Sequence, residues 1–327
     1  HHLSDLLAMI PFAWVASNGL PSNQGYSQDI KISLKDNTKI YANYRYNNLS
    51  GLYRSTNRGS DFFNIFQLQS NRDVDGITSS GQNANYLWIS TYEQGVFRSV
   101  DDGANWTGPT LQTVRVRNLA VDPNNDSTVF AGTGENNNDG GIYKSVDGSS
   151  SWTHVADSTV GNQNSLNVVT DQYVPNRVFA GTASDLFISN DSGNSWSASS
   201  LGFSNAPATI VDNAIHTIIY ASANGQGVYK SENNGSTWLL KNSGMGLSSV
   251  IRLAQDTNGD LFASRVPGGG VWKSADGAES WENVADPVWG NANTWGLDAK
   301  GGRVYVSVEN IGLFYADNVA PSTPTPT

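Results

Sequence analysis

The stretch "SVDDGANW" at residues 99–106 is one of five close copies of a single eight-residue phrase. Each of the five begins with Ser, has Asp or Asn at its third position and ends with Trp. The other four are "SVDGSSSW" at 145–152, "SNDSGNSW" at 189–196, "SENNGSTW" at 231–238 and "SADGAESW" at 274–281, and a degenerate sixth copy is "STNRGSDF" at 55–62. Successive copies start 42 to 46 residues apart. A period of this length predicts a repeat architecture built from one supersecondary unit.

The residue types in the phrase predict a tight turn that leads into a strand. Short Ser and Asp side chains accept hydrogen bonds from nearby backbone amides, and Gly adopts the positive φ that many turns require. The final aromatic is expected to bury its ring in the core. These structural positions are Asp101, Asp147, Asp191, Asn233 and Asp276, followed by Trp106, Trp152, Trp196, Trp238 and Trp281. Single acids about 44 residues apart are poor calcium ligands, so no metal site is expected at the turns.

Strand patterns surround every copy of the phrase. Segments such as "GVFRS" at 95–99 and "GVYKS" at 227–231 come just before it, and they alternate apolar and polar residues with the period of a half-buried strand. Two further short apolar segments lie upstream in each repeat. Each repeat is therefore predicted to contain four short strands, with the phrase between the third and the fourth. Four-stranded units that repeat radially form a β-propeller.

The phrase resembles the Asp-box of BNR-type repeats, which occurs in sialidases, two-propeller xyloglucanases, sortilin and photosystem II assembly factors. The resemblance covers residues 10–317 and is closest to the single propeller domains of the last three families. It implies that the phrase has a structural role and lies on the face opposite the functional site.

The two ends of the repeat array are complementary. Trp14 lies about one period before Phe62, whereas the C-terminal repeat has three strand patterns and no phrase after them. We therefore predict an all-β, seven-bladed β-propeller of four-stranded antiparallel blades, in which an N-terminal strand at residues 11–17 completes the last blade. The predicted domains are an N-terminal extension or tag remnant at 1–10, the propeller at 11–318 and a Pro/Thr-rich linker to a further module at 319–327.

Composition excludes several classes of function. The net charge of −10 and the pI near 4.7 argue against binding to nucleic acid or to an anionic membrane. The chain contains no Cys, which excludes disulfides and thiolate chemistry. It also contains no run of 18 apolar residues, so no membrane-spanning segment is predicted. No cofactor is expected. The linker composition predicts a secreted or cell-surface protein whose propeller is monomeric and tethered to other modules.

Aromatic and charged residues outside the phrase are the candidate ligand-binding groups. Flat aromatic rings beside polar side chains are suited to sugar rings. The candidates are Trp289, Trp295, Tyr92, Tyr46, Tyr26 and Arg72. Two structural alternatives are that Trp295 packs between blades and that Trp289 covers a loop. The predicted function is a non-catalytic extracellular module that recognises carbohydrate or a protein partner on the loop face.

A glycoside hydrolase is the alternative function. Such enzymes need two carboxylates on either side of one bond, and the candidates here are Glu93, Glu135 and Asp139, with Glu309 on the same face. The resemblance to xyloglucanases places Asn48 where those enzymes carry a catalytic aspartate. Sialidases use three arginines, for which Arg72, Arg115, Arg117, Arg252 and Arg265 are available, but they have six blades. The hydrolase alternative therefore requires a non-standard carboxylate pair.

Overall fold

In a computed structural model of the protein, residues 12–21, 24–68, 72–134, 140–155, 160–199 and 206–319 are described. Within these ranges, 28 strands form seven four-stranded antiparallel sheets, and a short 3-10 helix spans Pro287–Trp289. The structure confirms the predicted seven-bladed β-propeller.

The blades follow one another along the chain, except that the first strand, β1 (Val15–Ala16), belongs to blade 7. Blade 1 consists of β2 (Ile30–Ile32), β3 (Ile40–Tyr46), β4 (Leu49–Ser55) and β5 (Phe63–Leu68). Blade 2 consists of β6 (Val74–Ser79), β7 (Leu87–Thr91), β8 (Gly95–Ser99) and β9 (Thr107–Thr110). Blade 3 consists of β10 (Val116–Asp122), β11 (Asn125–Thr133), β12 (Gly141–Ser145) and β13 (Thr153–His154). Blades 4 and 5 consist of β14 (Ser165–Thr170), β15 (Val178–Thr182), β16 (Leu186–Ser189) and β17 (Ser197–Ala198); and β18 (Thr209–Val211), β19 (Ile219–Ala223), β20 (Gly227–Ser231) and β21 (Leu239–Leu240). Blades 6 and 7 consist of β22 (Val250–Gln255), β23 (Leu261–Arg265), β24 (Val271–Ser274) and β25 (Glu282–Asn283); and β26 (Thr294–Ala299), β27 (Arg303–Val308) and β28 (Gly312–Asp317), to which β1 adds the outer strand.

The ring closes through β1, as the sequence predicts. Val15 and Ala16 pair with β28 in antiparallel register, and the indole of Trp14 donates a 2.7 Å hydrogen bond to the carbonyl of Val284. Val284 lies three residues after Trp281, the aromatic of the preceding blade. The same relation recurs where Trp106 donates to Ile65, Trp196 to Val155 and Trp281 to Lys241. Trp14 is therefore the seventh member of this aromatic series, and closure removes the exposed strand edges of an open array.

Each copy of the phrase forms a turn that is held by its own side chains. In the copy at 145–152, the Ser145 hydroxyl donates to Asp147 Oδ1 at 2.8 Å and accepts from the backbone N–H of Ser149 at 2.8 Å. The carboxylate of Asp147 also accepts from the backbone N–H and the hydroxyl of Ser151. The Ser-to-acceptor bond recurs in the pairs Ser55–Asn57, Ser99–Asp101, Ser189–Asp191, Ser231–Asn233 and Ser274–Asp276. We call these six segments the recurrent turns and the side of the ring that carries them the turn face.

The hydrophobic core lies between neighbouring blades. For example, Tyr41 and Leu52 of blade 1 pack in one buried cluster with Ile77 and Leu87 of blade 2. Burial of such clusters all around the ring holds adjacent blades at a fixed spacing, because large apolar side chains contribute about 1.5–3 kcal/mol each when removed from water.

The first strand of every blade lines a central channel, and most of these strands share an irregularity. A register shift interrupts the pairing near the start of β6, β10, β14, β22 and β26. Asp75, Arg117 and Trp295 occupy the shifted positions of β6, β10 and β26. A β-bulge redirects the side chain of its extra residue. Charged and aromatic groups are thus presented at one end of strands that are otherwise largely apolar.

Candidate functional site

A central cavity of about 800 Å³ lies along the channel and is lined by all seven blades. Its volume falls in the range of small-molecule sites in proteins. The charged residues in its wall are Asp29, Lys31, Asp75, Arg117, Asp171, Arg252, Asp298 and Lys300. The loop face, opposite the turn face, consists of the blade crossings and of the turns between second and third strands. The shifted residues of the first strands lie toward this face.

An aromatic pair lies on the loop face where blades 7 and 1 meet. The rings of Tyr26 and Trp295 stack with centroids 5.3 Å apart and planes 28° from parallel. The indole N–H of Trp295 donates to Glu309 Oε2 at 3.2 Å, and the amide of Asn293 donates to the same oxygen at 2.7 Å. Among the described residues, none donates a hydrogen bond to the other carboxylate oxygen, Glu309 Oε1. The pair therefore lies beside an acceptor that a ligand hydroxyl can use.

Ion pairs continue from this aromatic pair toward blades 2 and 3. Tyr26 and Arg45 exchange two backbone hydrogen bonds, and the Arg45 guanidinium lies 2.8 Å from the Asp73 carboxylate. Arg115 Nε lies 3.2 Å from Asp75 Oδ2. The Arg115 guanidinium also lies 4.4 Å from the ring centre of Tyr92, which is a cation–π distance.

Together these groups follow one another on the loop face from blade 7 through blades 1 and 2 to blade 3. We call this set of residues the mouth arc and define it as Glu309, Trp295, Tyr26, Arg45, Asp73, Asp75, Arg115 and Tyr92. Burial raises the pKa of Asp75 to about 6, although Arg115 opposes that shift, and the neighbouring carboxylate of Asp73 raises it further. A carboxyl group with this pKa is a candidate for proton transfer or for a pH-dependent interaction.

Three of the residues predicted to bind ligand, Tyr26, Trp295 and Tyr92, belong to the mouth arc. Tyr46, at the end of β3, is partly buried against the core cluster of blade 1. Arg72 lies in the crossing that leads to β6, next to Asp73.

Trp289 has a different environment. It is 5% exposed, and its ring centroid lies 5.2 Å from that of Trp14 and 4.8 Å from that of Phe314. Trp289 belongs to the buried hydrophobic cluster between blades 6 and 7, which includes Phe262 and Leu297. A buried ring cannot stack on a sugar without rearrangement, so the candidate site does not include Trp289.

Of the three carboxylates predicted for the hydrolase alternative, only Glu93 lies among the described residues. Glu93 is exposed at the turn after β7, where its φ is +60°. Glu135 and Asp139 lie outside the described residues. Asn48 occupies an exposed two-residue turn with Asn47, and both have positive φ, which fits the turn type preferred in tight hairpins. Asp73 and Asp75 are instead the neighbouring carboxylates that the structure places in the arc.

Sequence reasoning missed Arg45, Asp73 and Asp75. The available signal was a charged residue inside a first strand that otherwise contains apolar and small side chains, as in "VDGITS" at 74–79. The direction in which that charged side chain points depends on the bulge, and a bulge has no clear signature in one sequence.

No protein-family model matches this chain, and no curated protein matches it. Solved structures share its fold. A GH74 xyloglucanase from Xanthomonas campestris superposes with a TM-score of 0.69 at 17% identity, over 90% of this chain and 43% of that one. YCF48 bound to D1 peptide has a TM-score of 0.68 at 15% identity, over 94% and 97% of the two chains. The extracellular domain of a putative one-component system from B. thetaiotaomicron has a TM-score of 0.69 at 16% identity, over 93% and 40%.

These similarities show the propeller fold. The chain spans less than half the length of two GH74 structures that it matches, at 43% and 44% of their chains. In the described part of the chain, no helix has the length and apolar character needed to cross a membrane. The same residues contain no group of three or more His, Cys, Asp or Glu side chains arranged to hold a metal ion.

Proposed function

We propose that this chain is an extracellular binding module that recognises carbohydrate at the mouth arc. The observation that carries the proposal is the stacked pair of Tyr26 and Trp295 beside the free acceptor Glu309 Oε1. Aromatic faces pack against the C–H faces of sugars, and a carboxylate oxygen next to them accepts a hydroxyl hydrogen bond.

The turn face supports the proposal from the other side of the ring. We assign the recurrent turns to the Asp-box class, because the Ser and Asp side chains at their first and third positions bond within the turn. An extracellular location fits the likeness to a sensor's extracellular domain.

Two observations favour other functions. The raised pKa of Asp75 beside the carboxylate of Asp73 resembles the acid–base pair of a glycoside hydrolase, although each carboxylate is paired with an arginine. A peptide partner is favoured by the likeness to YCF48 bound to D1 peptide, which extends over nearly all of both chains.

A glycan array followed by calorimetry tests the proposal. We expect the purified chain to bind one class of glycan. Trp295→Ala should weaken that binding at least tenfold, because it removes both the stacking surface and the indole hydrogen bond that holds the Glu309 carboxylate. The control is Phe63→Ala, which removes an aromatic ring that is 65% exposed on the outer strand β5, away from the arc.

Three results would contradict the proposal. The first is equal loss of binding in both variants. The second is a glycan bound with unchanged affinity by Trp295→Ala. The third is sugar release from the bound glycan that Asp75→Asn abolishes, and this result would replace the binding module with the hydrolase.

A further inference from the structure

A lysine, an asparagine and an aspartate meet on the turn face where blades 6 and 7 join. Lys273 lies on β24, Asp260 directly precedes β23, and Asn318 directly follows β28. Lys273 Nζ lies 3.0 Å from Asn318 Oδ1 and 3.0 Å from Asp260 Oδ2. Asn318 Nδ2 donates to the same Asp260 oxygen at 3.0 Å. One carboxylate oxygen therefore contacts both the amine nitrogen of the lysine and the amide nitrogen of the asparagine.

We propose that Lys273 and Asn318 join covalently in an isopeptide bond, with Asp260 as the catalytic acid and base. The lysine nitrogen is held next to the amide carbon that it attacks, because that carbon carries Oδ1. Holding a nucleophile and its electrophile in contact removes much of the entropy cost of their reaction. A carboxyl group within hydrogen-bond reach of both nitrogens can carry protons from one to the other.

The reaction balances within these three side chains. Asp260 takes a proton from the ammonium group of Lys273, and the neutral Nζ attacks Cγ of Asn318. The Nζ–Cγ bond forms and the Cγ–Nδ2 bond breaks. Two protons of the ammonium group pass through Asp260 to Nδ2, which leaves as an ammonium ion, and the third stays on the new amide. Asp260 is a carboxylate again at the end, and no electron is transferred to or from another group.

The surroundings of the three side chains suit this chemistry. The side chains of Lys273 and Asp260 are 17% and 14% exposed, and Asn318 is 4% exposed. The ring centre of Phe12 lies 5.8 Å from Nζ, and the fully buried Phe262 pairs with Lys273 across neighbouring strands. Two opposite charges are costly to keep away from water, and transfer of one proton from Lys273 to Asp260 removes both.

A second carboxylate holds the nitrogen that leaves. Asn318 Nδ2 donates to Asp256 Oδ2 at 2.8 Å, and Asp256 is fully buried. The other oxygen of this carboxylate accepts from the backbone N–H groups of Thr257 and Gly302. Nδ2 therefore lies between two fixed acids. Fixed negative groups stabilise the positive charge that develops on a leaving amine.

A similar set of residues between blades 1 and 2 lacks this arrangement and serves as an internal control. Lys39 Nζ donates to Asn85 Oδ1 at 2.9 Å and lies 2.9 Å from Asp102 Oδ2. Asn85 is exposed, however, and among the described residues no hydrogen bond joins its amide nitrogen to Asp102. Asp102 also accepts from the Tyr41 hydroxyl and pairs with Arg54. We expect no bond between Lys39 and Asn85.

An isopeptide bond at this place would reinforce the closure of the ring. Lys273 and Asn318 are 45 residues apart in the chain, and the bond ties blade 6 to the end of blade 7. Blade 7 otherwise closes through the two-residue strand β1, whose pairing is non-covalent. A crosslink over a loop of this length also restricts the unfolded chain and so favours the folded one.

Intact mass spectrometry and peptide mapping of the full chain test the inference. We expect the purified chain to be lighter than its sequence by one ammonia molecule. Trypsin should not cleave after Lys273 and should release a branched peptide that joins Lys273 to Asn318. Asp260→Asn and Lys273→Arg should both keep the full mass, whereas the control Lys39→Arg should show the same loss of ammonia as the unaltered chain. The crosslinked chain should also migrate faster on a denaturing gel than Asp260→Asn.

Three results would overturn the inference. The first is the full mass in an unaltered chain that unfolds cooperatively on heating, which would leave the contact as a non-covalent one. The second is a loss of ammonia that maps to an Asn–Gly pair such as Asn224–Gly225, because such pairs lose ammonia by forming a succinimide. The third is a branched peptide of undiminished yield in Asp260→Asn. None of these results bears on carbohydrate binding at the mouth arc, which contains none of the three residues.

Discussion

The Ser and Asp side chains of the recurrent turns and the charged side chains of the mouth arc form bonds over different distances along the chain. On the turn face, the hydroxyl of Ser145 and the carboxylate of Asp147 bond to groups two to four residues away in the same turn. On the loop face, Arg45 pairs with Asp73, 28 residues later, and Arg115 pairs with Asp75, 40 residues earlier. The Ser and Asp positions of the turn face therefore repeat because their bonds close within one turn. The loop face varies from blade to blade, because its contacts join different repeats and no single repeat determines them.

This comparison predicts that changes on the turn face affect stability, whereas changes on the loop face affect binding. The largest difference is expected between two tryptophans. Trp281 is 4% exposed and donates to the Lys241 carbonyl, so Trp281→Ala should lower the free energy of unfolding by about 3–5 kcal/mol. Trp295 is only partly buried, so Trp295→Ala should cost less stability and remove glycan binding. Urea denaturation of both variants measures this difference. Equal loss of stability in the two variants would contradict the expectation that the turn face determines stability and the loop face determines binding.

A smaller effect is expected for two buried serines. Ser145→Ala removes the acceptor of the Ser149 backbone N–H, and leaving that donor without a partner should cost about 1–3 kcal/mol. Ser222 is the matched control, because it is fully buried and its hydroxyl has no partner among the described residues. Ser222→Ala should be neutral or stabilising. A larger loss of stability in Ser222→Ala than in Ser145→Ala, measured by the same denaturation, would contradict the structural role of the turn.

The smallest effects concern the pH dependence of stability, and they have opposite signs on the two faces. Hydrogen bonds from Ser151 lower the pKa of Asp147 to about 2, and those from Ser195 do the same for Asp191. Their contribution is present above the unfolded pKa near 4 and is lost as the pH falls toward 2. Burial raises the pKa of Asp75 to about 6, so the proton stabilises the folded state and stability rises as the pH falls from 6 to 4.

Denaturation measured from pH 2 to pH 7 distinguishes these contributions. Asp75→Asn should flatten the profile between pH 4 and 6 only. Asp147→Asn should flatten it between pH 2 and 4, while the turn persists. Asn233 already fills the equivalent position in blade 5, where it accepts from the Ser231 hydroxyl and the Thr237 backbone N–H and its amide donates to the Thr237 hydroxyl. If Asp75→Asn left the profile between pH 4 and 6 unchanged, the raised pKa of Asp75 would be wrong.

Much of the fold follows from the sequence because its determinants are local and repeated. The phrase at 99–106 encodes a turn whose bonds lie within eight residues, and its six copies set the length of the repeat. Trp14 and the unpaired C-terminal strands then predict closure, which the pairing of β1 with β28 confirms. Hydrophobic alternation and turn chemistry suffice for this level of description, since neither depends on distant residues.

The candidate site depended on tertiary structure. Tyr26, Trp295 and Tyr92 could be named as aromatic residues outside the phrase, but only the ring brings residue 26 onto residue 295. Trp289 matches the same description in sequence and is buried in the closing blade. Asp75 and Arg115 meet because adjacent blades pack side by side and because a bulge shifts the register of each first strand. Distances across the ring arise from packing of whole blades, and short-range sequence patterns carry no information about them.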